Sequence, residues 1–279
     1  MTVQQTGVVA FQGELGAYSH QACRQAYPEH TVLPCESFQA AIAAVRDGEA
    51  DLAMLPVENS TYGRVADIHQ LLPESGLHII AEAFVRVRIA LLGLPGAVVS
   101  DIEQAYSHPV LLGQCREFLK AHGITGVVGV DTAGSARSIA EAGDKRVGAL
   151  ASTLAADIYG LDVIARDIED RDHNTTRFLA MARDPSTPAA DVEVMTSFVF
   201  QVKNIPAALY KALSGFATCG VNMVKLESYM LDGSFTATQF YAEIQGDKRD
   251  PNVEQAMREL GYFTKRVDVL GVYPAAKQR

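Results

Sequence analysis

Short apolar runs, each closed by a small polar loop, recur through the first 182 residues. A run without polar alternation reads as a parallel strand buried on both faces. Thr6–Phe11, Thr31–Cys35 and Asp51–Val57 are three such strands. Between and after them the 3.6-residue period predicts helices from Ser19, a good N-cap, to about Tyr27, over Phe38–Asp47 ending at Gly48, and over Val65–Leu72. Leu77–Leu94 is a long extended stretch, and a strand of that length passes from one sheet to another near Glu82–Arg86. Strands Ala105–Ser107, Gly126–Val130, Arg146–Ala149 and Asp162–Ile168 then alternate with helices Leu111–His122, Ser135–Ala142 and Ser152–Tyr159, predicting a second parallel βα lobe. The polar stretch Arg166–Asn174 returns the chain. The expected organisation is a two-lobed α/β domain over residues 1–182, with lobe 1 at about 1–83 and 169–182 and lobe 2 at about 84–168.

Residues 183–195 hold two prolines without periodicity and read as a linker. Beyond it the expected order is strand Thr196–Val202, helix Ala207–Cys219, strands Asn222–Tyr229 and Phe235–Gln245, helix Pro251–Leu260 and strand Thr264–Tyr273. That is a ferredoxin-like βαββαβ domain over 196–279, with Pro206 and Pro251 suited to the first helical positions.

Chemistry concentrates where apolar runs end. Asp172–Met181 (DHNTTRFLAM) crowds an amide, two hydroxyls and a guanidinium ahead of a buried strand. Glu58-Asn59-Ser60-Thr61 stands at the carboxyl end of another, where ligands sit in open α/β sheets. Each stretch has a plainer alternative: Thr is at home in strands, Arg pairs with surface carboxylates, and a polar turn caps the next helix. Phe11–Ser19, Ser107–Cys115 and Asp131–Ala136 are similar loops, and five of them suggest one shared cleft. Gly13 and Gly16 form a G-x-x-G turn, but the dinucleotide fingerprint is not met and no nicotinamide cofactor is expected.

Composition narrows the function. With 48% apolar residues the chain builds a sizeable core, while a formal charge of −9 and a pI near 5.3 argue against binding nucleic acid. An anionic substrate then needs local cations or amide donors, and Arg177 is the first candidate. Four dispersed cysteines and seven histidines in no ligand spacing point to reduced thiols and no built-in metal. The N-terminus lacks a signal-peptide shape, and Glu82, Arg86 and Arg88 interrupt the most apolar stretch, so a cytoplasmic protein with no membrane span is expected.

Together, Gln12–Ser19, Pro56–Ser60, Ser107-His108-Pro109 with Gln114-Cys115, Asp131–Ser135 and Asn174–Phe178 resemble the prephenate dehydratase family, and residues 196–273 resemble its ACT regulatory domain. The resemblance implies two lobes like a type II periplasmic binding protein with the active site between them. It also implies conversion of prephenate to phenylpyruvate, water and carbon dioxide, without a cofactor. On that basis Thr176 donates a hydrogen bond to the departing hydroxyl or relays a proton, and Glu58, Asn59, Ser107 and Gln114 share the catalytic work. Glu58, if desolvated, would be a proton donor. Arg177 either holds a substrate carboxylate or forms a structural ion pair, while Phe178, Ser19, Ser60 and Thr132 line the site. His108 either titrates or is structural.

In the small domain the resemblance implies an amino-acid site. Asn204, Asn222, Glu227 and Ser228 would take the amino and carboxylate groups of L-phenylalanine, with Ala208, Leu209 and Met223 near its side chain. The family pattern Gly-Ala-Leu-Val is Ala207-Ala208-Leu209-Tyr210 here, and Glu-Ser-Arg-Pro is Glu227-Ser228-Tyr229-Met230, which leaves inhibition open. A homo-oligomer, dimer or tetramer, is expected. The rival readings are an arogenate dehydratase and a non-catalytic sensor of an amino or organic acid.

Overall fold

Val9, Ala10 and Phe11 are fully enclosed, as an unbroken apolar run requires, and they form the centre of β1 (Val8–Gln12). The computed structural model describes residues 6–230 and 237–278. In chain order β1 is followed by α1 (Tyr18–Ala26), β2 (Thr31–Cys35), α2 (Phe38–Arg46), β3 (Leu52–Asn59), β4 (Gly63–Arg64), α3 (Ala66–Leu71), β5 (His78–Arg86), β6 (Ala90–Gly93) and β7 (Gln104–Ser107). Next come α4 (Pro109–Gln114), α5 (Arg116–His122), β8 (Thr125–Val128), α6 (Thr132–Ala142), β9 (Val147–Ala151), α7 (Thr153–Tyr159), β10 (Asp162–Ala165) and β11 (Thr175–Ala182). The last third holds β12 (Val194–Val202), α8 (Ala208–Thr218), β13 (Met223–Met230), β14 (Ala237–Gln245), α9 (Pro251–Phe263) and β15 (Thr264–Pro274). No described helix is long and apolar enough to cross a membrane.

The chain divides into two units. One holds residues up to Ala50, Met54–Arg64 and Phe84–Phe178; the other holds Asp51–Ala53, Val65–Ala83 and everything from Leu179. In the first unit β1 pairs in parallel with β2, the neighbours run β11-β3-β1-β2, and β4 folds back on the end of β3. The second sheet of that unit has the order β10-β6-β9-β7-β8. Here the expectation of a wholly parallel lobe is corrected. β7 is parallel to β8 and β9, but β6 and β10, which bring the chain in and take it out, run antiparallel to their neighbours.

Three local expectations are also corrected. Ser19 does not cap α1: the cap is Ala17, which gives no side-chain hydrogen bond, and Ser19 lies buried inside the helix. The helix expected over Leu111–His122 breaks at Cys115, because the Asp170 carboxylate accepts the N–H groups of Arg116 (3.1 Å) and Glu117 (3.2 Å) and so starts a second helix there. The strand expected to stop at Val57 continues to Asn59, where Glu58 and Asn59 pair with Arg64 and Gly63.

In the second unit β12, α8, β13, β14, α9 and β15 reproduce the βαββαβ order, with neighbours β13-β14-β12-β15 all antiparallel. Phe198, Phe200 and Phe240 from the strands close on Ala212, Phe216 and Leu260 from the two helices. Pro251 opens α9 as expected; Pro206 does not open α8, which starts at Ala208 behind Ala207 in a left-handed conformation (φ 61°). Phe235, expected at the start of the third strand, lies outside the described residues, and the strand is seen from Ala237.

Candidate active site

Because β3 runs on to Asn59, successive side chains at its end point to opposite faces of the sheet. The same holds for β11 from Thr175. Asn59 and Thr176 share one face, where Asn59 Nδ2 donates to Thr176 Oγ1 at 3.0 Å. Glu58 and Arg177 share the other, with Arg177 Nη1 3.7 Å from Glu58 Oε2.

On the first face the network extends in two directions. Asn59 Oδ1 accepts the backbone N–H groups of Thr61 (2.9 Å) and Tyr62 (3.0 Å), locking the turn that leads to β4. Asn59 Nδ2 also donates to Asn174 Oδ1 at 2.7 Å, and Asn174 Nδ2 donates to Gln114 Oε1 at 3.1 Å. Gln114 is the last residue of α4, so the helix break at Cys115 puts it beside the returning segment, whose Asp170 N–H donates to its carbonyl at 2.6 Å. Ser60 is close by but occupied: its hydroxyl donates to the His173 carbonyl (2.8 Å) and accepts the Thr175 N–H (2.9 Å).

The second face is ionic, with the arginine buried and the carboxylate partly exposed. Arg177 is 4% exposed, and its guanidinium carbon sits 6.0 Å from the centre of the Phe84 ring. Phe178 is core, 1% exposed.

Around the network lies a cavity of about 430 Å³ lined by Thr61, Tyr62, Gly113, Gln114, Arg116, Glu117, Glu169, Asp170, Arg171 and Asn174. Two of its three acids are engaged by the protein: Glu169 Oε2 accepts the Ile89 N–H (2.9 Å) and Oε1 lies 3.5 Å from Arg86, while Asp170 caps α5. Burial pushes the Cys115 thiol far above its ordinary range, with Asp170 and Glu169 adding, so it stays protonated. Burial does the same to the Tyr18 phenol, which donates to the Arg88 carbonyl at 2.9 Å.

Other expected residues are placed elsewhere. Ser107 is fully enclosed and its hydroxyl donates to the Leu150 carbonyl at 2.7 Å. Thr132 is half-buried as the first residue of α6, behind the Asp131 cap. His108 caps α4 through its ring, accepting the Val110 N–H at 3.2 Å, which favours its structural reading. The sequence marks Asn174 only as part of a motif, yet in the structure it joins Asn59 to Gln114.

In the small domain Asn204 is exposed in the turn before α8, Ala208 is buried and Leu209 half-buried at the helix start. Asn222 Nδ2 donates to Gln245 Oε1 at 2.7 Å just ahead of Met223. Glu227 lies 3.6 Å from Lys225 on one face of β13, and Ser228 is exposed on the other. Among the described residues no group of three or more His, Cys, Asp or Glu side chains is placed to hold a metal ion.

A family model described as prephenate dehydratase matches residues 9–186. A bifunctional N-acyl-homoserine lactone acylase/prephenate dehydratase of Komagataeibacter europaeus is 50% identical over 273 residues, spanning 98% of this chain and 97% of that one. Arogenate dehydratase/prephenate dehydratase 1, chloroplastic, of Arabidopsis thaliana is 38% identical over 280 residues, 95% of this chain and 71% of its own. The crystal structure of prephenate dehydratase from Arthrobacter aurescens in complex with L-Phe superposes with a TM-score of 0.88 at 31% identity, covering 98% of this chain and 91% of that one.

Proposed function

The chain belongs to the prephenate dehydratase family, and on that premise we infer that it converts prephenate to phenylpyruvate, water and carbon dioxide. The observation that carries the mechanism is the bond from Asn59 Nδ2 to Thr176 Oγ1. A threonine oxygen that is already accepting keeps its proton for donation. Thr176 directs that proton at the ring hydroxyl of the substrate. The C–O bond breaks, the departing hydroxide is held by the Thr176 hydrogen bond and takes up a proton from solvent to become water, and the electron pair of the bond to the ring carboxylate fills the new aromatic system as carbon dioxide departs. A threonine hydroxyl is too weak an acid to supply the proton outright, so it stabilises the departing oxygen as a hydrogen-bond donor. Gln114 supplies a second donor. Arg116 and Arg171, whose side chains have no hydrogen-bond or ion-pair partner among the described residues, attract the dianionic substrate to the cavity. Arg177 acts indirectly, holding β3 to β11 through Glu58. Ser60 ties the end of β3 to the segment before β11, and Ser107 braces the end of β7.

L-Phenylalanine regulates the enzyme through the βαββαβ domain, an ACT-like module. Asn204, Asn222, Glu227 and Ser228 are its proposed polar contacts, with Ala208, Leu209 and Met223 beside the ring. We also propose a cytoplasmic homo-oligomer, dimer or tetramer, assembled through these domains.

Absorbance of phenylpyruvate formed from prephenate, with and without L-phenylalanine and with arogenate in parallel, tests the reading. Product from prephenate that falls as L-phenylalanine is added is the expected result. Turnover of arogenate alone would make this an arogenate dehydratase, and no product from either acid would leave a sensor. Assaying N-acyl-homoserine lactone in the same preparation shows whether the second activity named for the Komagataeibacter relative extends to this chain.

A further inference from the structure

The amide network has a direction that its chemistry forces. Backbone N–H groups can only donate, so the Asn59 atom facing Thr61 and Tyr62 is its oxygen. Its nitrogen therefore faces Thr176 and Asn174, and spends both protons there. Since Asn174 accepts through Oδ1, the group it turns to Gln114 is its NH₂, and Gln114 must answer with Oε1. What Gln114 has left is Nε2, a pure donor, and that nitrogen has no partner among the described residues.

Asn174 is well built to transmit this sense. It is 3% exposed, and its own carbonyl accepts the Val87 N–H at 2.9 Å, which fastens it to the segment where the chain crosses between sheets. Gln114 is only half-buried at the end of a six-residue helix and lines the cavity. An amide there turns over freely unless a neighbour prefers one end. Turned the wrong way, it would present a carbonyl to an oxygen that is gaining negative charge.

We propose that Asn174 is a positioning residue that fixes Gln114 as a hydrogen-bond donor toward the departing hydroxyl, in concert with Thr176. The proposal rests on the dehydratase reading and adds to it a residue of the cavity wall that acts through Gln114.

Asn174→Asp tests it through a pH profile. The ionised carboxylate still accepts from Asn59, but Gln114 can only donate to it and so turns its oxygen outward. The protonated carboxyl restores the original pattern, its carbonyl accepting from Asn59 and its O–H donating to Gln114. The expected kcat, divided by that of wild type, is roughly 100-fold down at about pH 8 and recovers at least about tenfold by about pH 5, because burial at this position disfavours the charged carboxylate. Tyr62, Arg116, Glu117, Glu169, Asp170 and Arg171 line the cavity and His173 precedes position 174 in both proteins, so the ratio to wild type isolates the group introduced at 174. In a Gln114→Ala background the recovery vanishes. A flat ratio in a folded variant overturns the proposal, as does a recovery that survives Gln114→Ala. Should Asn174→Asp fail to fold, Gln114→Glu puts the titrating carboxyl at the more exposed end of the bond. It is expected to show the same loss and recovery, and wild-type kcat at both pH values overturns the proposal. A wild-type protein that makes no phenylpyruvate overturns the dehydratase reading too; an active wild type with flat ratios overturns only the role of Asn174.

Discussion

The two faces of the β3 and β11 ends hold neighbouring residues by opposite means. On one, Asn59, Thr176, Asn174 and Gln114 are joined by neutral hydrogen bonds of 2.7–3.1 Å, each with a defined giver and taker. On the other, Glu58 and Arg177 face each other at 3.7 Å, where attraction depends on charge and burial and little on which atom points where. A neutral network carries directional information and can aim a proton; an ion pair carries cohesion. Chemistry is expected to depend on the first face and stability on the second.

The comparison is tested most severely at Thr176. Thr176→Ala is expected to lower kcat by about 10²–10³-fold with no change in the thermal midpoint, whereas Thr176→Ser keeps activity within about tenfold. A fully active Thr176→Ala protein would erase the distinction between the faces. The converse experiment is Glu58→Ala, which removes the carboxylate 3.7 Å from the buried Arg177. It is expected to cost about 1 kcal/mol of stability, read by denaturant unfolding, while kcat of the folded fraction changes by less than about fivefold. A large loss of kcat at unchanged stability would move Glu58 onto the chemical face. The smallest effect belongs to an exposed pair, Glu14 with Arg137, whose guanidinium donates twice to the carboxylate at 2.8 Å. That hydrogen bond holds the Glu14 carboxyl below the usual carboxylate range. Its contribution is therefore complete above the ordinary carboxylate pKa and fades as pH falls through the depressed one. Thermal midpoints of wild type and Glu14→Gln, separated slightly at pH 7, are expected to converge on acidification and at high salt.

Where the elements rest on local pattern, the sequence was a good guide. β2 occupies Thr31–Cys35 as its apolar run indicates, and the βαββαβ order follows from alternating periods, with Pro251 opening α9. Where a boundary depends on a distant partner, it was not. Nothing near Cys115 announces a helix break, because the cap that starts α5 is Asp170, which lies across the return of the chain. The end of β3 had a larger consequence. Stopping the strand at Val57 made Glu58 and Asn59 seem two contributors to one polar loop, while the pairing with β4 carries the pleat through both and sends them to opposite sides. The role of Asn174 is of the same kind. As a residue type it accepts or donates equally well, so its meaning is set by the neighbours that fix its orientation. Ala207 illustrates a different limit: the sequence shows alanine at a position where the family pattern carries glycine, and only the backbone angle of φ 61° reveals that this alanine adopts the conformation glycine favours.

The turn that joins β3 to β4 has a genetic consequence. The sense in which protons are offered in this site begins at the peptide groups of residues 61 and 62, not at any side chain. A codon change at either position replaces what hangs from the α-carbon and leaves the N–H in place, so the origin of that sense is insulated from nearly all point mutation. Proline, which has no N–H to offer, is the one encoded residue that would silence it.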